Sequence, residues 1–287
     1  MNKFNQQVEF KIGNYSTSNI INGYSLPNLN YDRNYELIEK FNKTWYEWLQ
    51  PTLLNKTNFK YHMPINGIVE AIEKICSSQD YERYVIFEGE VKYYENILKI
   101  YKKKFIKIKY NQLDKIENND LVCCSMPFSP FGSIPEWYSD LCSFVEEKNI
   151  PMFIDGAYLG TVNKKVYIPT TCIFFAASVT KCFNAPALRS GILMFDNLLS
   201  TFCAKYKLAN YNYYSMEKAI TLLNNFDCFY TYNKYIKQYL KFCSTNNLEI
   251  SDSVVLAYTY NFDHKLKNKM QVNNDLKILR LGVSSHI

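Results

Sequence analysis

The chain has 287 residues, 47% hydrophobic and 21% charged, with a formal charge of +6. A composition of this kind supports a packed core and excludes global disorder, and the length allows one large domain or a large domain with a smaller companion. The modest, dispersed charge argues against a nucleic-acid-binding protein. No segment is long enough for a transmembrane helix, and the opening "MNKFNQQVEFKIGNYS" lacks the apolar stretch of a signal peptide. Nine cysteines at irregular spacing, with no CxxC and three histidines, favour neither a disulfide framework nor a zinc site. The expectation is a soluble, reduced, cytoplasmic protein that binds no membrane.

In chain order, residues 1–30 are polar and read as irregular. "YDRNYELIEKFNKTWYEWLQ" (31–50) has helical spacing of its apolar residues. "PINGIVEAIEKICSS" (64–78) reads as a loop opening a second helix, and "YVIFEG" (84–89) as a buried strand ended by glycine. "VKYYENILKIYKKK" reads as a helix. The "FIKIKY" that follows alternates apolar residues with lysine, as a half-exposed strand does, so its charge needs no nucleic-acid partner. "DLVCCSMPFSPFG" (120–132) is a strand broken by Pro and Gly, and "IPEWYSDLCSFVEEKN" (134–149) a helix. Strands are expected again at "IPMFIDGAYLG" (150–160), "TCIFFAASVTK" (171–181) and "SGILMFD" (190–196). Residues 197 to about 246 are helical in pattern. Strand-like runs follow at 253–262 and 276–284.

Strands alternate with helices, and each strand is a continuous apolar run. That pattern predicts a three-layer αβα fold around a mostly parallel sheet, with a small, reduced α+β domain at the C-terminus. The expected boundaries are an N-terminal arm and first helix (1–45) joining the small domain, a large domain (46–235) and the small C-terminal domain (236–287). Ligands of such sheets bind beyond the carboxyl ends of the strands. The polar residues there, Ser129, Asp155, Tyr158, Ser178 and Lys181, are therefore the candidates.

An acid carried out of "PMFI" needs a cation or donors beside it, or its pKa rises. A lysine emerging from "IFFAAS" and held out of water would be a better nucleophile toward a carbonyl. Arg189 and Ser178 suit a phosphate. A Schiff-base lysine, a carboxylate for a ring nitrogen and an Arg–Ser pair for a phosphate together describe a site for pyridoxal 5'-phosphate.

"DGAY" followed by "SVTKCFNAPALRSG" resembles the class I/II aminotransferases of the fold-type-I pyridoxal-phosphate enzymes, in the patterns D-x-x-Y and S-x-x-K-x(7)-R. The resemblance implies that Lys181 bonds the cofactor aldehyde and shuttles protons. By the same resemblance Asp155 pairs with the pyridine nitrogen, Tyr158 donates to the phenolate oxygen, and Ser178 and Arg189 bind the phosphate. "SMPFSPFG" is similar to the family's N-P-N-N-P-T-G loop, with Ser129 where relatives carry asparagine. "PINGIVEAI" resembles the phosphate loop and implies a role for Asn66 and Gly67. "LRLGVS" resembles the strand whose arginine, here Arg280, binds the substrate carboxylate. The ring-stacking aromatic of the family falls at Glu90 or Val91, with Tyr93 and Tyr94 immediately after.

The implied activity is transfer of an amino group between an α-amino acid and a 2-oxo acid, in a homodimer. The alternatives are another reaction of the same cofactor on an amino acid (decarboxylase, lyase or racemase) or cofactor binding without turnover. A sugar aminotransferase fits less well, because Tyr158 stands where that branch resembles D-x-A-H. His62, just before the phosphate loop, reads as a structural residue.

Overall fold

The computed structural model describes residues 11–12, 15–16, 31–78, 80–199, 201–202 and 211–283. A two-residue antiparallel pair (11–12 with 15–16) is followed by a 19-residue helix, α1 (Tyr31–Leu49). Phe41, Trp45, Trp48 and Leu49 recur at helical spacing and are buried in the core of the large sheet. Phe41 and Trp45 meet at 6.2 Å, Trp45 and Trp48 at 5.8 Å. The Trp48 indole donates to the Phe226 carbonyl at 2.8 Å. Leu37 and Ile38 pack on the same core, so α1 lies with the large sheet over residues that the sequence assigned to the small domain. Pro51 ends its α-helical hydrogen bonding in a 3₁₀ turn.

The large sheet has seven strands: β1 (Tyr61–Ile65), β2 (Arg83–Phe87), β3 (Lys104–Ile108), β4 (Asp120–Ser125), β5 (Met152–Asp155), β6 (Cys172–Ser178) and β7 (Gly191–Phe195). Their spatial order is β1-β7-β6-β5-β4-β2-β3. All run parallel except β7, which is antiparallel to both neighbours. Helices α2 (Ile68–Ser77), α3 (Lys92–Ile100) and α4 (Tyr138–Glu147) make the crossovers.

Successive residues of each strand enter opposite cores. Val85, Phe87, Val122 and Cys124 join one cluster; Tyr84, Ile86, Leu121 and Cys123 join the other. Both faces are covered, which is why the strands read as unbroken apolar runs. The same alternation sends the adjacent Cys123 and Cys124 to opposite faces. The eight cysteines among the described residues are all buried and free.

The sequence reading missed β1, because Pro64 reads as a breaker. The strand lies at the sheet edge, where a missing N–H is tolerated.

Beyond β7 come α5 (Tyr213–Asn225), packed against α1, and α6 (Tyr230–Asn246). Part of the helical pattern expected after residue 197 lies outside the described residues. A second, antiparallel sheet follows, made of β8 (Glu249–Ile250), β9 (Leu256–Thr259), β10 (Gln271–Asn273) and β11 (Ile278–Gly282), in the order β8-β9-β11-β10. The short polar β10 was also not expected.

The small sheet is fastened to the large one near the strand ends. Ser253 N donates to Gly132 O at 2.9 Å, and Val254 N to Thr161 O at 3.1 Å. Asn273 Nδ2 donates to Gly89 O at 2.8 Å, and Gly89 N to Asp275 Oδ2 at 3.1 Å. Gly89 has φ +88°, and a Cβ there would sit 2.3 Å from Leu276 Cδ1. Only glycine permits this approach, and it brings β10 and β11 over the end of the large sheet.

Candidate active site

Three adjacent strands of the sheet end at this edge in a polar residue. β4 ends at Ser125, β5 at Asp155 and β6 at Ser178. A cavity of about 360 Å³ opens beyond them, lined by Ser129, Asp155, Tyr158, Ser178, Lys181, Arg189 and Arg280. Seven of the nine residues singled out in the sequence therefore share one cavity. Asn66 is engaged elsewhere: its backbone N–H and its side-chain amide both donate to Glu70 Oε2, at 2.7 and 2.9 Å. Gly67 sits directly beneath the arginine, since a Cβ added to it would meet Arg189 Nη2 at 3.3 Å.

One end of the cavity is built for an anion. Gly67 takes φ +88° and starts α2. Ile68 and Val69, which line the cavity, lie in the first turn, where amides have no intrahelical acceptor. Ser178 is buried and leaves the helix-capping amides free of its side chain. Arg189 is held in the left-handed region at φ 47°, a strained state for a non-glycine residue of the kind found at functional sites. Arginine, hydroxyl and helix amides converge there.

The other end holds an acid in need of a cation. Asp155 is 3% exposed. Burial and the nearby Glu90 carboxylate push its pKa up to about 7, while the Ala157 N–H, the Tyr94 hydroxyl and the Lys181 ammonium pull the other way. Ala157 N donates to Asp155 Oδ1 at 2.8 Å. A cationic group placed against Asp155 would restore the carboxylate.

The resemblance set Glu90 or Val91 at the ring-stacking position and gave the Glu90 carboxylate no chemistry of its own. Glu90 is 8% exposed, and burial raises its pKa against the donors around it. Ser125 N donates to Glu90 Oε1 at 2.6 Å, and Ser125 Oγ lies 2.7 and 2.9 Å from its two oxygens. Ser129 N donates to Ser125 Oγ at 2.7 Å. Ser125 is the ladder partner of Asp155, so the two carboxylates stand in neighbouring positions. The one sequence signal is that "FEGE" leaves an apolar strand end as "FIDG" does, and it does not point to Ser125.

Lys181 is not withdrawn into the strand. One turn of helix (Val179–Cys182) follows β6 and carries Lys181 to the exposed mouth of the cavity. Its Nζ lies 5.8 Å from the centre of the Tyr158 ring. Tyr158 accepts a hydrogen bond at its hydroxyl from Arg280 Nη2 at 2.9 Å. Of the residues at the expected stacking position, Val91 and Tyr93 line the cavity, while Glu90 and Tyr94 are buried. His62 is stacked on Tyr46 at 5.9 Å, in β1 and outside the cavity lining. Among the described residues no group of His, Cys, Asp or Glu could hold a metal, and no helix is long and apolar enough to cross a membrane.

A mostly parallel seven-stranded sheet with helices on both faces is the large-domain fold of the fold-type-I pyridoxal-phosphate-dependent enzymes. The model of the aminotransferase class I and II family matches residues 89–239, just over half of the chain, and the chain belongs to that family. The family is pyridoxal-phosphate-dependent. The match includes Ser129, Asp155, Tyr158, Ser178, Lys181 and Arg189.

Three solved structures illustrate the likeness. Histidinol-phosphate aminotransferase from Clostridium acetobutylicum is 18% identical over 88% of this chain and 88% of that one, with a TM-score of 0.64. A Thermus thermophilus aspartate aminotransferase mutant is 10% identical over 91% of this chain and 85% of that one, with a TM-score of 0.67. The PLP-bound C-S lyase from Staphylococcus hominis is 12% identical over 86% of this chain and 79% of that one, with a TM-score of 0.64. At these identities the likeness is one of fold. Comparison of the sequence with curated proteins finds no match.

Proposed function

We propose that the chain binds pyridoxal 5'-phosphate in the 360 Å³ cavity and transfers an amino group between an α-amino acid and a 2-oxo acid. The observation that carries this reading is the convergence of Asp155, Tyr158, Ser178, Lys181 and Arg189 on that cavity. The residues fit the group: an anion cradle at one end, a buried carboxylate without a contacting cation at the other, and an accessible amine between them.

Arg189, Ser178 and the first amides of α2 would hold the phosphate. Asp155 would take the ring nitrogen, Tyr158 and Ser129 the phenolic oxygen, and Lys181 the aldehyde carbon. When bound, the cofactor supplies an electron-withdrawing ring that makes the α-carbon proton of an attached amino acid acidic. The remaining work falls to the chain. Asp155, ionised by a facing cation, holds the ring-nitrogen proton in place. Lys181 would accept the α-proton as general base and, as general acid, deliver it to the carbon contributed by the cofactor aldehyde, on the far side of the nitrogen. Arg280, fixed by Tyr158, receives the substrate carboxylate.

Members of the family are typically dimeric, and we take this chain to be a homodimer. The cysteines among the described residues, buried and free, fit the reducing cytoplasm.

The test is a half-reaction. Protein loaded with cofactor and given an amino acid alone should release one equivalent of 2-oxo acid per site and leave the cofactor in its amino form. Release of ammonia or carbon dioxide instead would assign a lyase or decarboxylase. In Lys181→Ala the borohydride-reducible visible chromophore should disappear.

A further inference from the structure

A second chamber of about 260 Å³ adjoins the cavity and shares Tyr158, Thr180, Lys181, Gln271 and Arg280 with it. Its charge is one-sided. Among the described residues Lys181, Lys269 and Arg280 line it, and no carboxylate does. On the function proposed above, Lys181 and Arg280 are already committed, to the reacting amine and the α-carboxylate. Lys269 is the surplus cation.

Its surroundings distinguish it from other lysines nearby. In the adjoining cleft Lys107 lies 3.0 Å from both Glu95 and Asp275, and Lys99 pairs with Glu95. Lys267, two residues before Lys269, lies 3.5 Å from Asp263. Lys269 has no ion pair among the described residues. It closes a 3₁₀ turn, Lys267–Lys269, whose backbone is tied by its N–H to the Leu266 carbonyl at 2.8 Å. Gln271, two residues on, is the cross-strand partner of Arg280. The lysine is thus carried on a hydrogen-bonded turn directly before the strand that roofs the site.

Val255 and Leu256 supply an apolar wall to the chamber, while Thr180 and Asn184 add a hydroxyl and an amide. We propose that this chamber receives the substrate side chain and that Lys269 selects amino acids bearing a second anion, a carboxylate or a phosphate. The inference rests on the function proposed above. Arg280 anchors the α-carboxylate, the amine is directed to Lys181, and methylene groups run along Val255 and Leu256 toward the Lys269 ammonium. A neutral side chain would leave that ammonium without a counter-charge in a chamber lined by two further cations.

Two measurements test it with the cofactor-loaded protein. First, calorimetric titration with succinate and with butyrate reads the second anion without turnover. The wild type should prefer succinate, and Lys269→Met should cut the succinate-to-butyrate preference roughly tenfold, the loss of one charge-assisted contact. Lys269→Arg should restore it, which separates loss of charge from loss of fold. An unchanged preference in Lys269→Met overturns the inference. Second, aspartate, glutamate and O-phosphoserine are compared with asparagine, glutamine and serine by kcat/KM. Anionic substrates should lead in the wild type, and the leading anion separates carboxylate from phosphate. Equal rates for neutral and anionic partners overturn the inference while leaving aminotransfer intact. If no amino acid is turned over, aminotransfer fails, and the succinate titration alone decides the role of Lys269.

Discussion

Arg280 Nη2 donates to the Tyr158 hydroxyl at 2.9 Å, joining a side chain of the small sheet to one just beyond β5 of the large sheet. Arg280 is held on its strand by ladder partners on both sides, Tyr258 and Gln271. Its Nε is buried without a hydrogen-bond partner, so the Tyr158 contact is the side-chain bond that fixes the guanidinium. In Tyr158→Phe the guanidinium loses that restraint. A hydrogen bond to a charged group is worth about 1.5–3 kcal/mol, so the KM for the amino acid should rise roughly tenfold or more. Steady-state kinetics check this. An unaltered KM in a folded variant would show that Arg280 is positioned by the strand alone.

Asp155 and Glu90 make a second prediction, about stability. With the Asp155 pKa pushed up to about 7, from the ordinary value near 4 that applies in the unfolded chain, both states hold the proton below about pH 4. As pH rises to 7 the unfolded chain releases it first. Stability of the cofactor-free protein should therefore fall across that window, by on the order of 4 kcal/mol in total. Burial of Glu90 acts in the same direction. Asp155→Asn removes the titrating group, so its melting temperature should vary less between pH 4 and 7. Thermal melts over that range read the difference. A slope as steep in Asp155→Asn as in the wild type would assign the pH dependence to other groups.

The parallel sheet was legible because both faces are buried. Runs such as Leu121–Cys124 then contain no polar interruption, and alternation with helices fixes the fold class. β1 was not legible, since Pro64 is forbidden in a central strand and allowed at an edge, and a single sequence does not reveal the edge. Asp155, Tyr158, Ser178, Lys181 and Arg189 were legible from spacing, because two strand ends and one loop carry all five. Glu90 and Lys269 were not. Glu90 gains meaning only from Ser125, 35 residues later, and Lys269 only from the turn that sets it before β10, a strand of three polar or exposed residues whose Gln271 pairs with Arg280. The exposure of Lys181 was missed for a local reason: one helical turn, Val179–Cys182, separates it from the apolar strand.

A third prediction concerns Gly67. Its φ of +88° is disfavoured for any residue with a side chain, and its Cβ position lies 3.3 Å from Arg189 Nη2. Gly67→Ala should therefore strain the start of α2, at about 1–3 kcal/mol, and displace the guanidinium from the phosphate cradle. Both effects are measurable apart. The melting temperature of the cofactor-free variant reads the strain. The dissociation constant for pyridoxal phosphate reads the cradle, with a rise of roughly tenfold for one weakened charge-assisted contact. A lower melting temperature with unchanged cofactor affinity would remove Arg189 from the cradle.

The last prediction asks which side chain faces the cofactor ring. Val91 and Tyr93 both line the cavity. Val91 stands at the N-cap of α3 with an extended backbone, φ −55° and ψ 127°, a conformation open to any L-residue. Its side chain is exposed toward the mouth, so a larger residue fits without displacing the core. If Val91 covers the ring, Val91→Tyr adds an aromatic stack worth about 0.5–1.5 kcal/mol, and the cofactor should bind roughly two- to tenfold more tightly. The same substitution should slow loss of the visible chromophore on dilution. If Tyr93 already covers the ring, Val91→Tyr brings no gain and Tyr93→Ala weakens binding by a similar factor. The two variants thus give opposite patterns, and the pair assigns the stacking position that the turn after β2 left open between a valine and a tyrosine.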